Sequence, residues 1–166
     1  MPPHVALREV TDDDVAVFFE QQADPLGIQM VAYTPLEPLD REAFFAKWGV
    51  IRTSPTGMVR TIVADGNVAG KILSFLFPKT GEREVGFWLG RSYWGQGIAT
   101  AALKLFLTQV ERRRPLFAGA AVDNLGSLRV LQKCGFQVTG RECDFAPARG
   151  QNVDVVLLTL AGDPPA

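Results

Sequence analysis

The chain has 166 residues, of which 47% are hydrophobic and 21% charged, and its formal net charge is -1. This balance is typical of one soluble domain and excludes a disordered chain. The near-zero charge argues against nucleic-acid or electrostatic membrane partners, and no apolar run reaches spanning length. We expect a single domain over residues 1–166, cytoplasmic, without a secretory signal at its start.

Cysteine and histidine are scarce. Cys134 and Cys143 are too few for a disulfide framework and lack metal-ligand spacing, and the only histidine is His4. We therefore expect no metal site and no nucleophile activated by a core histidine.

The first part of the chain predicts a strand, a helix, a loop and a second helix. Residues 5–10 lean toward a strand, and the cap chemistry of residues 11–14 begins a helix. Residues 24–38 carry three prolines, which predicts a loop with at most a short helical turn. Asp40 caps the next helix. A loop of this length often lines a binding site, so we expect residues 24–38 on the acceptor side.

The middle of the chain predicts an antiparallel meander. Residues 58–64 and 68–77 flank Asp65-Gly66, a strong hairpin signal, and residues 82–89 form the next strand. Gly86 lies inside that strand, where a glycine often marks a bulge or a close approach.

A glycine-rich junction follows. The strand ends at Leu89, a helix runs from about Thr100 to Arg112, and Gly95 and Gly97 lie between them. Unpaired amides at a helix N-terminus bind anions, and glycines let a ligand approach the backbone. The junction therefore predicts a phosphate site, although the same pattern also occurs in ordinary tight connections.

The last part predicts a strand at 116–122, a helix capped by Asn124 and ended by Gly135, and strands at 136–142 and 153–160. For the Arg112-Arg113-Arg114 triplet, a solvated helix end is favoured over a phosphate contact. The element order predicts a mixed α/β fold.

Three stretches together resemble the GNAT superfamily of acyl-CoA-dependent N-acetyltransferases, in the branch of the bacterial RimJ/RimL ribosomal-protein acetyltransferases. They are residues 84–89 (EVGFWL), 93–100 (YWGQGIAT) and 124–136 (NLGSLRVLQKCGF). The resemblance implies a mixed, mostly antiparallel sheet of six to seven strands with helices on both faces. It also implies a splay between the strands at 82–89 and 116–122, into which the pantetheine arm of acetyl-CoA inserts.

The resemblance implies that the loop amides wrap the pyrophosphate of acetyl-CoA. Trp94 stands where the family carries Arg or Gln, so phosphate binding depends on backbone amides here. The residues expected to contact acetyl-CoA are Phe87, Trp88, Leu89, Trp94, Gly95, Gln96, Gly97, Ile98, Ala99, Thr100 and Asn124. A backbone amide near the bulge, around residues 87–89, is expected to polarise the thioester carbonyl.

Asn124 and Ser127 each have two interpretations. Asn124 can be a helix cap only, or, as in the family, can also bind the pantetheine amide. Ser127 can be an ordinary first-turn residue or the acid that protonates the leaving thiolate.

Glu84 is the best candidate for a general base, although an edge salt bridge is the favoured interpretation. Asp144 and Glu142 are weaker candidates. Cys134 ends a helix, where the dipole disfavours a thiolate, so we expect a packed core residue and direct transfer without an acyl-enzyme.

The expected function is transfer of an acetyl group from acetyl-CoA to a small-molecule or peptide amine by a monomer or homodimer. An α-amine is favoured because it is neutral more often than a lysine near pH 7.5 and needs no committed base. Polyamine or antibiotic amines are the alternative acceptors. A module that binds coenzyme A without turnover is the non-enzyme alternative, and a dinucleotide-binding protein is disfavoured because a third glycine is missing.

Overall fold

The computed structural model describes residues 2–31, 40–78 and 80–164. They form a seven-stranded sheet of order β1-β2-β3-β4-β5-β7-β6, in which only β4 and β5 are parallel. The strands are β1 (Val5–Arg8), β2 (Met58–Ala64), β3 (Asn67–Leu76), β4 (Arg83–Leu89), β5 (Leu116–Ala121), β6 (Gln137–Ala146) and β7 (Gln151–Leu160). The helices are α1 (Asp12–Gln22), α2 (Pro25–Val31), α3 (Arg41–Thr53), α4 (Ile98–Leu105) and α5 (Leu125–Lys133). The predicted fold class is confirmed.

The helices cover both faces of the sheet. Phe18 of α1 and Phe44 and Trp48 of α3 form one buried cluster. The side chains of α4 and α5 form a larger cluster with Ile72 of β3. Consecutive side chains of a strand point to opposite faces, and Lys71, next to Ile72, contacts the rings of the first cluster. The two clusters therefore lie on opposite faces.

A capping box fixes the start of α1. The Thr11 hydroxyl accepts from the Asp14 amide at 3.2 Å, and the Asp14 carboxylate accepts from the Thr11 amide at 2.9 Å. That carboxylate also pairs with Arg8 and accepts from the Thr61 hydroxyl at 2.8 Å. Burial alone would raise the pKa of Asp14, but these partners lower it to about 2. The cap therefore also ties α1 to β1 and β2.

The sheet opens between β4 and β5. β4 pairs with β3 along its whole length, from Arg83 opposite Leu76 to Leu89 opposite Gly70. Its parallel pairing with β5 consists of Glu84 opposite Phe117 alone. The predicted splay is confirmed, and it widens toward the end of β4.

The bulge expected at Gly86 is wrong. The β3–β4 register is unbroken, with Gly86 opposite Leu73. A Cβ at Gly86 would meet only the Phe75 ring, at 3.8 Å, so no close approach interrupts the ladder here. The irregular registers lie at Ile62/Val63 and Val138/Gly140.

Several boundaries differ from the sequence expectation. α2 occupies part of the span predicted as a loop, whose residues 32–38 lie outside the described ranges. The helix predicted for 100–112 starts at Ile98 and ends in a π-helical turn, Phe106–Val110. The strand predicted for 136–142 extends to Ala146, since the closing hairpin pairs as far as Gln151.

The arginine triplet predicted to be solvated is exposed at Arg112 and Arg113, whereas Arg114 is partly buried. Glu111 follows the π-helical turn and is wholly buried. Burial disfavours its charge, but Arg113, at 2.8 Å, and the Ser74 hydroxyl lower its pKa overall. Arg114 donates to the carbonyl oxygens of residues 107, 111 and 162. Arg113 thus pairs with the buried carboxylate while its side chain stays 50% exposed, and Arg114 turns toward the carbonyl oxygens at the helix end.

Candidate active site

A cavity of about 440 Å³ lies at the open end of the splay between β4 and β5. This volume is within the range of small-molecule sites. Ten of the eleven predicted cofactor-binding residues line it: Phe87, Trp88, Leu89, Trp94, Gly95, Gly97, Ile98, Ala99, Thr100 and Asn124. Ser127 lines it as well. Gln96 and Glu84 are not among the lining residues.

The glycine junction presents free amides to this cavity. Gly95 and Gly97 have φ values of 74° and 77°, which only glycine adopts readily. Gly97 is the N-cap of α4, and no side chain caps the helix there. Ile98, Ala99 and Thr100 line the cavity, and no side chain caps the helix whose first turn they form, which is the arrangement an anion site requires.

Trp94 connects this loop to the end of β4. Its indole Nε1 donates to the carbonyl oxygen of Leu89 at 3.0 Å. Gln96 donates to the Ser92 carbonyl at 2.9 Å and braces the loop from outside the cavity. Both side chains thus shape the junction through backbone carbonyls, and neither brings a positive charge.

Positive charge comes from α5, which sequence reasoning missed. Arg129 and Lys133 lie one turn apart, and both line the cavity. The sequence did contain a signal for them: two basic residues four positions apart, in a helix predicted to start at Asn124, share one helix face. Together with the N-terminus of α4, they make one end of the cavity electropositive.

Asn124 links α5 to α2. Its Oδ1 accepts from the Ser127 amide at 3.3 Å, which is the predicted cap. Its Nδ2 donates to the carbonyl oxygen of Met30 at 3.3 Å. Met30 and Gly27 of α2 also line the cavity; both lie in the span of residues 24–38 expected on the acceptor side, although neither was named individually. The second contact joins residues far apart in sequence, so no local pattern indicated it.

The hydroxyl and the backbone amide of Ser127 differ in their hydrogen bonding, since only the amide takes part in the helix cap. Within the described ranges, the hydroxyl makes no hydrogen bond, while its residue lines the cavity. A ligand can therefore accept a hydrogen bond from it without breaking a protein contact.

Glu84 lies outside the cavity lining, at the single pairing point of β4 and β5. It shares the face of Trp88 but lies four residues earlier, about 13 Å along an extended strand. Burial raises its pKa, and the charges of Glu82 and Glu142 raise it further. Glu142 and Asp144 lie on β6 and do not line the cavity either.

Cys134 is buried, as predicted. Burial raises the pKa of its thiol to about 11, and the thiol donates to the Thr100 carbonyl at 3.7 Å. It therefore presents no thiolate at neutral pH.

In the described part of the chain, no group of three or more His, Cys, Asp or Glu side chains could hold a metal ion. None of the described helices is long and apolar enough to cross a membrane.

The splayed mixed sheet and its electropositive cavity define an α/β domain whose site has the shape and charge for an extended, phosphate-bearing ligand. Residues 4–137 match the family described as Acetyltransferase (GNAT) domain, and the chain belongs to that family. The predicted family is confirmed. Its members are acetyl-CoA-dependent N-acetyltransferases, so the predicted class of enzyme is confirmed at the level of the family.

Two curated relatives come from bacilli. The chain is 29% identical to the putative ribosomal N-acetyltransferase YdaF of Bacillus subtilis over 125 residues, 72% of this chain and 68% of that protein. It is 30% identical to the uncharacterized N-acetyltransferase p20 of Bacillus licheniformis over 86 residues. The latter match spans 49% of this chain and about half, 48%, of that relative.

A solved structure has the same fold. The structure of RimL, a ribosomal L7/L12 alpha-N-protein acetyltransferase in complex with coenzyme A, superposes with a TM-score of 0.80 at 21% identity. The superposition covers 96% of this chain and 94% of that one.

Proposed function

We propose that this protein transfers the acetyl group of acetyl-CoA directly to a primary amine. The observation that carries the proposal is the cavity itself, because it joins an anion-binding helix N-terminus to a gap between two strands. An acyl-CoA thioester has both matching parts, a pyrophosphate and an extended amide-bearing arm. A nucleotide has only the first.

The residues of the cavity suit acetyl-CoA in two regions. The amides at residues 98–100 would hold the pyrophosphate, and Arg129 and Lys133 would neutralise phosphate charge. The exposed edge of β4 at residues 87–89 would hydrogen-bond the pantetheine arm as an added strand does. Asn124 retains one amide hydrogen beyond its contact with Met30, which leaves a donor for that arm.

In the proposed reaction the amine nitrogen attacks the thioester carbonyl carbon, and the carbon–sulfur bond breaks. The nitrogen loses one proton, and the departing sulfur gains one. Ser127 is the proposed proton donor to the sulfur, since its hydroxyl is unused by the described residues and lines the cavity. Cys134 takes no part, so no acyl-enzyme forms.

Glu84 is the proposed acceptor of the amine proton, acting through water. Direct contact is disfavoured because Glu84 is not a lining residue. A pKa raised by burial and by neighbouring carboxylates makes it a stronger base than an ordinary glutamate.

The proposed acceptor is an α-amine, on a peptide or a small metabolite. An α-amine has a pKa of about 7.7 to 8.0, against about 10.4 for lysine, so far more of it is neutral near pH 7.5. A site without a base in direct contact favours that acceptor. The name of the curated relative YdaF, a putative ribosomal N-acetyltransferase, agrees with this choice. Polyamine or antibiotic amines are the second candidate.

The test is release of free thiol from acetyl-CoA across a panel of amines. The panel holds peptides with free or acetylated N-termini, lysine side chains, polyamines and aminoglycosides. Turnover confined to free N-termini supports the α-amine, whereas turnover confined to lysines or polyamines refutes it and leaves acetyl transfer intact. Binding of acetyl-CoA without thiol release from any amine would favour the non-catalytic module.

Gly97→Glu tests the phosphate site. It introduces a Cβ and a negative charge at the helix N-terminus, so acetyl-CoA affinity should fall at least tenfold. Gly81→Glu is the matched control, because Gly81 has a similar φ of 70° and open space around it but lies outside the cavity. Equal affinity in the two variants would mean that the pyrophosphate binds elsewhere.

A further inference from the structure

A buried lysine lies beside the cavity and takes no part in the proposed chemistry. Lys71 of β3 is only 8% exposed. Its Nζ lies near four aromatic rings: Trp48 at 5.1 Å, Phe44 at 5.3 Å, and Phe18 and Trp88 at 5.7 Å. Distances below about 6 Å allow a cation–π interaction. The lysine is thus enclosed by rings from α1, α3 and β4.

The amine has one polar partner among the described residues. Its Nζ donates to Gln22 Oε1 on α1, and no described carboxylate lies within 4.0 Å of it. Burial, and to a lesser extent the charge of Lys47, lower the pKa of Lys71 to about 7. Burying an amine is costly, and among the described residues that cost is offset by aromatic rings and one amide oxygen rather than by a carboxylate.

Lys71 contacts the cavity through Trp88. The two residues are directly opposite each other in the β3–β4 ladder. Trp88 lines the cavity, and its ring lies against Gly27 of α2, where an added Cβ would come within 2.9 Å of Cζ2. Gly27 itself is buried and lines the same cavity. The indole therefore lies between the lysine on one side and α2 on the other.

We propose that Lys71 is a positioning residue for acetyl transfer, which holds the Trp88 indole against Gly27 and so fixes the cavity wall made by β4 and α2. This inference rests on the proposed function. The protonated amine binds the indole more strongly than the neutral amine does, because only the cation is attracted to the ring face. The wall is therefore held more firmly below neutral pH than above it.

The charged groups around Lys71 are few. From α3, Lys47 opposes its charge. From α1, the buried Asp14 is committed to Arg8 and to Thr61, the residue opposite Lys71 on β2. From β4, the neighbour is the uncharged Trp88. Lys47 is therefore the charge whose removal should shift the titration of Lys71 without altering the ring cage.

The first test follows the three indole N–H resonances by NMR as the pH is changed, each assigned by a Trp→Phe variant. In the wild type, the Trp88 and Trp48 resonances should shift with a midpoint near pH 7, while that of Trp94 should not. Lys47→Met should move the midpoint to higher pH, and Lys71→Met should abolish it. A Trp88 resonance that does not titrate in the folded wild type would overturn the inference.

The second test compares kinetics of the wild type and Lys71→Met. The value of kcat/KM for the amine should fall roughly three- to tenfold at pH 6.5, while KM for acetyl-CoA should change less than twofold, because the phosphate end is untouched. The ratio of wild-type to variant kcat/KM should decrease as the pH rises through 7. The ionisation of the substrate amine affects both enzymes equally and therefore cancels in this ratio. A ratio that is independent of pH would overturn the inference.

The two proposals fail in different ways. Absence of wild-type turnover on every amine would refute the proposed function. Normal wild-type turnover that Lys71→Met leaves unchanged at every pH would refute the positioning role alone. If Lys71→Met does not fold, the indole titrations of the wild type and of Lys47→Met still decide whether Lys71 acts on Trp88.

Discussion

Asn124 donates from Nδ2 to the carbonyl oxygen of Met30 at 3.3 Å, across 94 positions of sequence. The same carboxamide caps α5 through Oδ1. One side chain therefore fixes the start of α5 and joins it to α2, and both helices line the cavity.

Asn124→Asp should separate these two roles. An aspartate keeps the capping oxygen but loses the donor to Met30 and to any pantetheine amide. We expect near-normal stability and a KM for acetyl-CoA raised at least threefold. Asn124→Ala should lose both, with about 1 kcal/mol of unfolding free energy in addition.

Asp40→Ala is the matched control for Asn124→Ala. Asp40 caps α3 by accepting from the Ala43 amide at 3.2 Å, away from the cavity. Its removal should lower stability by a similar amount and leave KM unchanged. Urea unfolding measures the stability, and steady-state kinetics measure KM for acetyl-CoA. A normal KM in both Asn124 variants would show that Asn124 only caps α5.

Arg129→Ala and Lys133→Ala should each weaken acetyl-CoA binding roughly three- to tenfold, since each removes one cation from the phosphate end of the cavity. The loss should shrink as salt is added, because exposed charges are screened. Arg141→Ala, an exposed arginine of β6, is the control with the same charge change. Titration calorimetry at two salt concentrations measures the effect, and losses equal to that of Arg141→Ala would argue against a phosphate role.

Ser127→Ala should lower kcat by about a hundredfold with little change in KM for acetyl-CoA or in stability. Stability should change little because the hydroxyl makes no hydrogen bond to the described residues, while the capping contact uses the backbone amide. An acetyl thioester whose thiol has a lower pKa should recover much of the lost rate, because such a thiol leaves without an acid. An unchanged kcat would assign the acid role elsewhere.

The stability of the wild type should rise with pH relative to Lys71→Met. The folded-state pKa of Lys71, about 7, lies below its unfolded value of 10.5. Between these values the unfolded chain binds one more proton, so the stability difference should grow by about 1.4 kcal/mol per pH unit in favour of the wild type. Below pH 7 both states are protonated and the difference is constant. Urea unfolding at pH 6.5, 7.5, 8.5 and 9.5 measures the slope, and a flat difference would show that Lys71 titrates normally.

Features set by a few neighbouring residues could be predicted from the sequence. The helix cap at Thr11 and the hairpin turn at Asp65-Gly66 depend on local hydrogen bonds and positive φ angles, and both formed as expected. The same holds for the Gly95 and Gly97 junction, whose glycines have positive φ and open onto the cavity. Element order was enough for the mixed α/β fold, whereas the splay between β4 and β5 was implied only by the family resemblance.

The rest was decided by packing between distant segments. The register of β4 against β3 could not be predicted from residues 82–89 alone, and the unbroken ladder between the two strands rules out the bulge expected at Gly86. Glu84 shares the face of Trp88, as alternation predicts. It lies outside the cavity because β4 and β5 still pair at Glu84 and separate only after it. Lys71 lies in a strand pattern that does not distinguish a buried amine from an exposed one, and its environment comes from rings on α1, α3 and β4. Local sequence determines hydrogen bonds within a turn, whereas burial and charge environment depend on which segments the whole chain brings together.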